Sequence, residues 1–257
     1  MFNIKRVVDA SIALGILIAV SPLLLLAAIG IKLTSPGPIF YRALRIGRDR
    51  RRDRREGKYQ GRVFTMYKFR TMLVSADAAA KPITAWKDSR VFPFGSLLRA
   101  TKIDELPQLL NVVKGDMALV GPRPEAPEIV RSHYSSDDLG TLQALPGVTS
   151  PGTLYYYTHC EAMLQSDTVA DLYVQRLLPI KLALDRVYLR HPTLGYDVRM
   201  ILRTIAVLVA RCFGSRRFPD PPELAEAGVN GLSVPPEHLR SFSTPDPSFQ
   251  SQPRNRI

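Results

Sequence analysis

Apolar residues are concentrated at the N-terminal end of this chain. From Val7 to Leu33 they are interrupted only by Asp9, Ser11, Ser21, Pro22, two glycines and Lys32. At about 1.5 Å per residue a straight helix over that run would extend roughly 40 Å, enough for a hydrocarbon core of about 30 Å. A cleaved signal peptide fits poorly, because its apolar region is normally about 7–15 residues and ends at a small-residue site. Here the run leads instead into Lys32 and Ser35-Pro36-Gly37-Pro38. Pro22 lies near its middle, where it removes a backbone donor and clashes with the preceding turn, so a bend is expected there. Ser21 carries a hydroxyl able to bond the carbonyls that such a bend frees. Lys5 and Arg6 precede the run, and Arg42, Arg45, Arg48 and five further arginines up to Arg55 follow it. Basic flanks on both sides favour a re-entrant helix with both ends on one face. A single span with the N-terminus outside is the alternative that charge and proline leave open.

The pattern changes after the anchor. Residues 42–62 are arginine-rich and polar, and read as a loop against anionic headgroups or as a solvated charge run. Val63 to Met72 alternates as a strand does. Ser75 to Lys81 predicts a helix, and Val91 to Ala100 is an apolar stretch carrying Arg99. Thr101 to Gly115 reads as one helix with Asp104 as N-cap, Glu105 in its first turn and an early Pro107. Leu106, Leu109, Leu110 and Val113 recur at helical spacing in it, and Lys114-Gly115 closes it. Gly121-Pro122-Arg123-Pro124 predicts a stiff loop. Residues 128–197 mix helical and loop signals around Pro146 to Pro151. Asp197 to Phe213 is amphipathic, as an interfacial helix or as an ordinary surface helix. The last 43 residues hold eight of the 21 prolines and little periodicity, so residues 215–257 are expected to be disordered.

Composition narrows the class. With 257 residues, 46% hydrophobic and 23% charged, the chain can bury a core. A mean hydropathy of -0.03 excludes a protein with many membrane spans. Two cysteines, Cys160 and Cys212, exclude a disulfide framework and fit a reducing compartment. Thirty-five Lys and Arg against 23 Asp and Glu leave a net charge of +12, which calls for an anionic partner.

The chain has no Gly-rich phosphate loop, nucleophile elbow or metal-finger spacing. His159 and Cys160 are neighbours in sequence, which does not make them a catalytic dyad. What remains is Asp104-Glu105 among basic residues: Arg99 five positions before, with Lys68, Arg70 and Arg123 in flanking segments. An N-cap aspartate would sit at the positive end of the helix dipole and favour its ionised form. The helix start would also offer N–H groups to a phosphate. A carboxylate attacks phosphorus only once the phosphate's charge is neutralised, by arginine or a divalent cation. The plain alternative is a capped helix with surface charges. The residues alone therefore reach a membrane-anchored protein with phosphate chemistry in view.

At these positions the chain resembles the bacterial sugar transferase family, the monotopic phosphoglycosyl transferases that initiate surface-polysaccharide synthesis. The matching runs are Lys5-Arg6 with Asp9, Ser21-Pro22, Ser35-Pro36-Gly37-Pro38-Ile39-Phe40 and Tyr67-Lys68-Phe69-Arg70-Thr71-Met72. They continue through Arg99, Ile103-Asp104-Glu105-Leu106-Pro107-Gln108-Leu109, Asn111, Lys114-Gly115-Asp116-Met117 and Leu119-Val120-Gly121-Pro122-Arg123-Pro124. The likeness covers about residues 3–210, is densest from 63 to 127, and is to the short catalytic form.

The resemblance implies transfer of sugar 1-phosphate from a UDP-sugar to polyprenol (undecaprenyl) phosphate with Mg2+ and release of UMP, as the first membrane step of exopolysaccharide, O-antigen or capsule synthesis. It implies Asp104 as the nucleophile of a covalent phosphosugar intermediate, placed at the metal, with Glu105 as its partner. Lys68 and Arg99 are implied at phosphate groups, Arg70 as a further substrate-binding residue, and Pro122, Arg123 and Pro124 in the loop at the nucleotide. The Ser21-Pro22 break implies a re-entrant helix with both ends cytoplasmic, at the bacterial inner membrane. The expected fold is an α-rich α/β protein: a membrane helix and exit over 1–40, a catalytic domain with interfacial helices over 41–214, and the tail. UDP-sugar, polyprenol phosphate and membrane lipids are the expected partners, a homodimer is compatible, and nucleic acid is not expected. A catalytically dead adaptor is the rival from another class, and a membrane-tethered nucleic-acid binder a second. After Thr149 many members continue with a Gly-Trp or Gly-Leu-Trp run. This chain reads Ser150-Pro151-Gly152-Thr153-Leu154-Tyr155-Tyr156-Tyr157, which leaves the sugar open and puts the tyrosines near it.

Overall fold

The computed structural model describes residues 2–49, 61–73, 88–160, 169–215 and 217–229. The N-terminal apolar run forms two helices, α1 (Phe2–Ala19) and α2 (Ser21–Thr34). They are bent by 62° at the break between them. Pro22 sits in the first turn of α2, where its missing N–H costs least. The Ser21 hydroxyl donates to the Ile18 carbonyl at 2.8 Å, one of those the bend frees. Among the described residues no single helix is long and apolar enough to cross a membrane, although the bent pair together is.

Strands β1 (Phe40–Ile46) and β2 (Val63–Phe69) form an antiparallel pair with Phe40 opposite Phe69 and Ile46 opposite Val63. The alternation at 63–69 therefore is a strand. Part of the expected arginine-rich loop is a strand too: Arg42 and Arg45 lie on β1, because pairing with β2 supplies the backbone partners that composition could not foretell. The expected helix at 75–81 and the middle of that loop lie outside the described residues.

Then come α3 (Pro93–Ala100), a 3-10 turn over Ile103–Glu105, and α4 (Gln108–Lys114). Next are β3 (Ala118–Val120), α5 (Pro127–His133), α6 (Ser136–Leu139), β4 (Gly147–Thr149) and α7 (Pro151–Tyr155). Helix α7 widens into a π-turn at Tyr156–Cys160. α8 (Val169–Leu172) passes through a second π-turn, Tyr173–Leu177, into α9 (Leu178–Arg190). α10 (Leu194–Cys212) and α11 (Glu223–Ala227) complete the order. Strands β3 and β4 pair in parallel, Ala118 with Gly147 and Val120 with Thr149. The fold is α-rich α/β, with helices packed around two small sheets.

Several starts are written locally. Prolines occupy the first turns of α3, α5 and α7. Ser150 accepts from the Thr153 N–H at 2.9 Å, and Thr193 accepts from that of Tyr196 at 3.1 Å. The expected helix from Thr101 to Gly115 departs from its reading. Asp104 does not cap it but lies within the 3-10 turn, and Pro107 precedes α4 without a side-chain cap. At the other end Gly115 does close α4, at φ 85°, a conformation glycine adopts without strain.

The largest core cluster joins α1, α4, β3, α7, α9 and α10 through Ala13, Val112, Met117, Val120, Leu154, Tyr188 and Met200. Polar bonds fix α1 to it. Arg6 donates to the carbonyls of Val112 (2.8 Å) and Val113 (3.2 Å), satisfying the open end of α4. Lys5 pairs with Asp9 and with Asp197 of α10. Helix α11 packs on α9, and its Glu223 accepts from Tyr196 (2.6 Å) and Arg203 (2.7 Å). This part of the segment expected to be disordered is thus helical and docked, because Glu223 finds buried partners on α10. Residues 230–257 lie outside the described ones.

Candidate active site

The site forms where β2, the 3-10 turn, α4 and the loop after β3 meet. Asn111 on α4 ties the first to the third. Its Oδ1 accepts from the Tyr67 N–H at 3.0 Å, and its Nδ2 donates to the Thr65 carbonyl at 2.7 Å. That register carries Lys68 to Glu105, Nζ to Oε1 at 3.1 Å. From the other side Arg123 grips the same carboxylate, its Nη2 at 3.0 and 3.1 Å from the two oxygens and its Nη1 at 3.1 Å from Oε2. Gln108 adds a bond from Nε2 to Oε2 at 2.8 Å. A forked guanidinium on a carboxylate is a strong, direction-specific pairing.

The two neighbouring carboxylates therefore differ. Burial alone would raise the pKa of Glu105, but Arg123, Lys68 and Lys102 outweigh it and hold it well below the usual carboxylate range. Asp104 is only 7% exposed. Burial, reinforced by the negative Glu105 beside it, raises its pKa against the pull of Lys68, Lys102 and Arg99. This is opposite to the effect expected of an N-cap aspartate, because burial and the neighbouring carboxylate outweigh the surrounding cations. Its Oδ1 is buried with no hydrogen-bond partner, and so is Oε1 of Gln108.

Two unpartnered oxygens beside a locked ion pair can take up a hard cation or an electrophile. Mg2+ is commonly held by one or two carboxylates while substrate phosphates and water complete its shell. The donor set of Asp104 and Gln108 fits that pattern. No cluster of three His, Cys, Asp or Glu able to form a closed metal cage exists among the described residues.

The other residues expected at the site divide. Arg99, at the end of α3, donates from Nε to the Thr71 hydroxyl at 2.8 Å and acts electrostatically on Asp104. Pro122 and Pro124 flank Arg123, and the Pro122 carbonyl accepts from the Gly147 N–H at 2.9 Å. Arg70 is not among the groups brought together. Its guanidinium is buried against the turn after α2, with Nη1 on the Ser35 hydroxyl (2.6 Å), Nη2 on the Ser35 carbonyl (2.8 Å) and Nε on that of Pro38. Arg70 lies just past the last residue of β2, where the bonds to Ser35 and Pro38, and not strand alternation, direct it away from Lys68. Of the three tyrosines, Tyr155 is buried in the second core cluster and stacks on His159. Tyr157 reaches the site, where its hydroxyl accepts from Arg123 Nη1 at 3.1 Å. His159 bonds Thr158 and pairs with Asp220. Burial pushes the neighbouring Cys160 thiol up to about 12, so it is no nucleophile at neutral pH.

Two residues in the site had no assigned role in the sequence reading: Lys102 and Gln108. Both lie within four positions of Asp104, so proximity was the available signal. Behind the site, Glu125 accepts from Tyr173 (2.7 Å) and pairs with Lys181, while Asp185 accepts from the Gly152 N–H at 3.0 Å. No local pattern announces these long-range pairs.

Comparison with known proteins agrees with this geometry. The model of the bacterial sugar transferase family matches residues 1–211. A UDP-glucose:undecaprenyl-phosphate glucose-1-phosphate transferase of Caulobacter vibrioides is 36% identical over 208 residues, 80% of this chain and 69% of that protein. A protein of the same name from Xanthomonas campestris is 33% identical over 78% of this chain and 37% of its own length. A UDP-N-acetylgalactosamine-undecaprenyl-phosphate N-acetylgalactosaminephosphotransferase of Aeromonas hydrophila is 32% identical over 83% of this chain and 45% of its own. The chain thus spans about two thirds of the first relative and less than half of the other two. With the family model matched from α1 through α10, and the Asp104-Glu105 pair inside that match, the chain belongs to the bacterial sugar transferase family.

Proposed function

We propose that the protein transfers sugar 1-phosphate from a UDP-sugar to polyprenol phosphate through a covalent intermediate on Asp104. The observation that carries this is the asymmetry of the carboxylates: Glu105 is locked by Lys68, Arg123 and Gln108, whereas Asp104 keeps an unpartnered buried oxygen. In the first step an Asp104 oxygen attacks the phosphorus bearing the sugar. The bond to the bridging oxygen breaks, and UMP leaves with both electrons. In the second a polyprenol phosphate oxygen attacks the same phosphorus and frees the carboxylate. One nucleophile can thus serve a soluble donor and then a lipid acceptor. Glu105 fixes Arg123 and Lys68 close to the reacting phosphorus, where their charge favours its negative transition state. Mg2+, held by Asp104 and Gln108, would neutralise phosphate charge.

We infer further that residues 1–40 form a re-entrant membrane segment, residues 41–214 the catalytic domain, and the site the cytoplasmic face of a bacterial inner membrane. The bend at Val20, the basic residues before and after it, and the exposed apolar faces support this. Leu25, Leu26 and Leu33 are exposed on α2, as are Val198, Leu202, Ile205 and Phe213 along and just beyond α10. These are surfaces that a bilayer would cover. Cysteines placed at Asn3 and in the 42–62 segment should both resist a membrane-impermeant thiol reagent in intact cells; labelling at Asn3 alone means a spanning helix.

The test of the reaction is UMP release from a panel of UDP-sugars with polyprenol phosphate and Mg2+, wild type beside Asp104→Asn. Turnover of one donor that vanishes in the variant identifies reaction, nucleophile and sugar together. Undiminished turnover by the variant would discard Asp104, and no turnover of any donor by folded protein would favour an adaptor.

A further inference from the structure

Tyr157 reaches the site from the π-turn Tyr156–Cys160 that extends α7. Such turns are rare, and within helices they are frequent at functional sites. Groups from later in the chain hold this one in place. Arg211, in the last turn of α10, donates from Nη1 to the Tyr157 carbonyl at 2.7 Å. After α10 the chain returns to the turn, where Asp220 Oδ1 lies 3.2 Å from His159 Nε2. Glu223, only 4% exposed, fixes this returning segment to α10 by accepting from Tyr196 and Arg203. Leu224 joins Tyr155 and Cys160 in one buried apolar cluster. Residues 217–229 lie past the 1–211 span of the family match, so family membership gives them no role.

On the side of the site, the Tyr157 hydroxyl accepts from Arg123 Nη1 at 3.1 Å, and the same nitrogen donates to Glu105 Oε2 at 3.1 Å. Lys68, Gln108 and Arg123 converge on Glu105 from β2, α4 and the loop after β3. Tyr157 gives Arg123 an acceptor anchored elsewhere in the fold, through α7 and α10. A guanidinium held at two separately anchored acceptors has less freedom than one held by a single carboxylate. Such precision matters, because misplacing a group by about 1 Å can cost about a hundredfold in rate.

We propose that residues 217–229 form a strap that positions Arg123 for the reaction, by clamping the π-turn so that the Tyr157 hydroxyl stays on Nη1. Asp220, Glu223 and Tyr157 are positioning residues, acting through Arg123. This rests on the phosphoryl-transfer reading above. It deepens that reading by extending the parts that serve the site beyond the matched residues.

The test uses the full chain in lipid nanodiscs, with kcat and donor KM from UMP release and hydrogen exchange read over residues 154–160. The strap variant Asp220→Ala with Glu223→Ala should lower kcat about tenfold, as for a lost bond to a charged group, with donor KM within about threefold. Its exchange should quicken over 154–160 and stay as in wild type over 108–114. Tyr157→Phe, which removes only the hydroxyl, should lower kcat by a similar factor. Adding the strap substitutions to Tyr157→Phe should then cost less than about twofold more, because both act through one bond. A strap that merely stabilises the protein lowers activity by the same factor in either background, and that result overturns the proposal. Unchanged kcat in the folded strap variant overturns it too, as does unchanged exchange over 154–160. Should the strap variant fail to fold, Glu223→Gln, which keeps the side chain's shape, carries the same comparison. If wild type turns over no UDP-sugar, the reaction reading falls and this inference with it. Active wild type beside an unaffected strap variant sinks the strap alone.

Discussion

Two buried clusters lie on either side of the loop at residues 122–125, and they are built alike. On one side Glu105 is locked by Lys68 and Arg123, next to Asp104, which has an unpartnered oxygen and a raised pKa. On the other Glu125 is locked by Lys181 and Tyr173. Nearby Asp185 also has an unpartnered oxygen, and burial raises its pKa to about 6. The loop joins them, with Arg123 serving the first and Glu125 the second. The difference lies in what surrounds each acid. Asp185 is 1% exposed beneath the start of α7. A Cβ on Gly152 there would come within 2.4 Å of the Lys181 carbonyl oxygen and 2.8 Å of Asp185 Oδ1. Asp104 is 7% exposed and is acted on by Lys68, Lys102 and Arg99, whereas Lys181 acts on Asp185. A perturbed carboxylate is therefore the stronger functional candidate where cations able to receive a phosphate surround it.

Matched substitutions test that contrast. The largest effect is expected for Asp104→Asn, with UMP release reduced by at least about a thousandfold and Tm not lowered, as for removal of a nucleophile. Asp185→Asn should leave UMP release within about threefold, and equal losses in the two variants would erase the distinction. Next is Lys181→Met, which strands the Glu125 charge in the interior and should cost about 3–5 kcal/mol of stability in denaturant melts. The double variant Lys181→Met with Glu125→Gln should recover most of it. A Lys181→Met protein as stable as wild type would mean that the second cluster does not hold the loop.

The smallest effect is a slope with pH. The native Asp185 carboxyl keeps its proton up to about 6, whereas an exposed one ionises at 3.8. Between these values the native state binds more protons than the unfolded state, so this group's contribution to stability falls as pH rises and stays reduced above the window. Asp185→Asn lacks the slope. Its stability relative to wild type should therefore improve by up to ~3 kcal/mol from about pH 4 to pH 7. A difference that does not vary with pH would show that Asp185 is not held protonated.

What was legible in the chain was what repeats or sits together. Alternation from Val63 marked β2, the apolar run with Ser21-Pro22 marked a bent helical pair, and Asp104-Glu105 stood out as adjacent acids among basic residues. The same local reading failed at Asp104 as a cap and at Arg42 as loop. A 3-10 turn and a strand pairing depend on where the chain goes next, not on the residue.

The sequence alone determined the family, the apolar, bent N-terminal run and the identity of the acidic pair, because periodicity, composition and motif order are properties of neighbours along the chain. Only the tertiary structure decided which acid is locked and which has an unpartnered, buried oxygen. Lys68 arrives from 37 residues before Glu105 and Arg123 from 18 after it. Burial, which raises one pKa while paired cations lower the other, exists only once those segments have packed together.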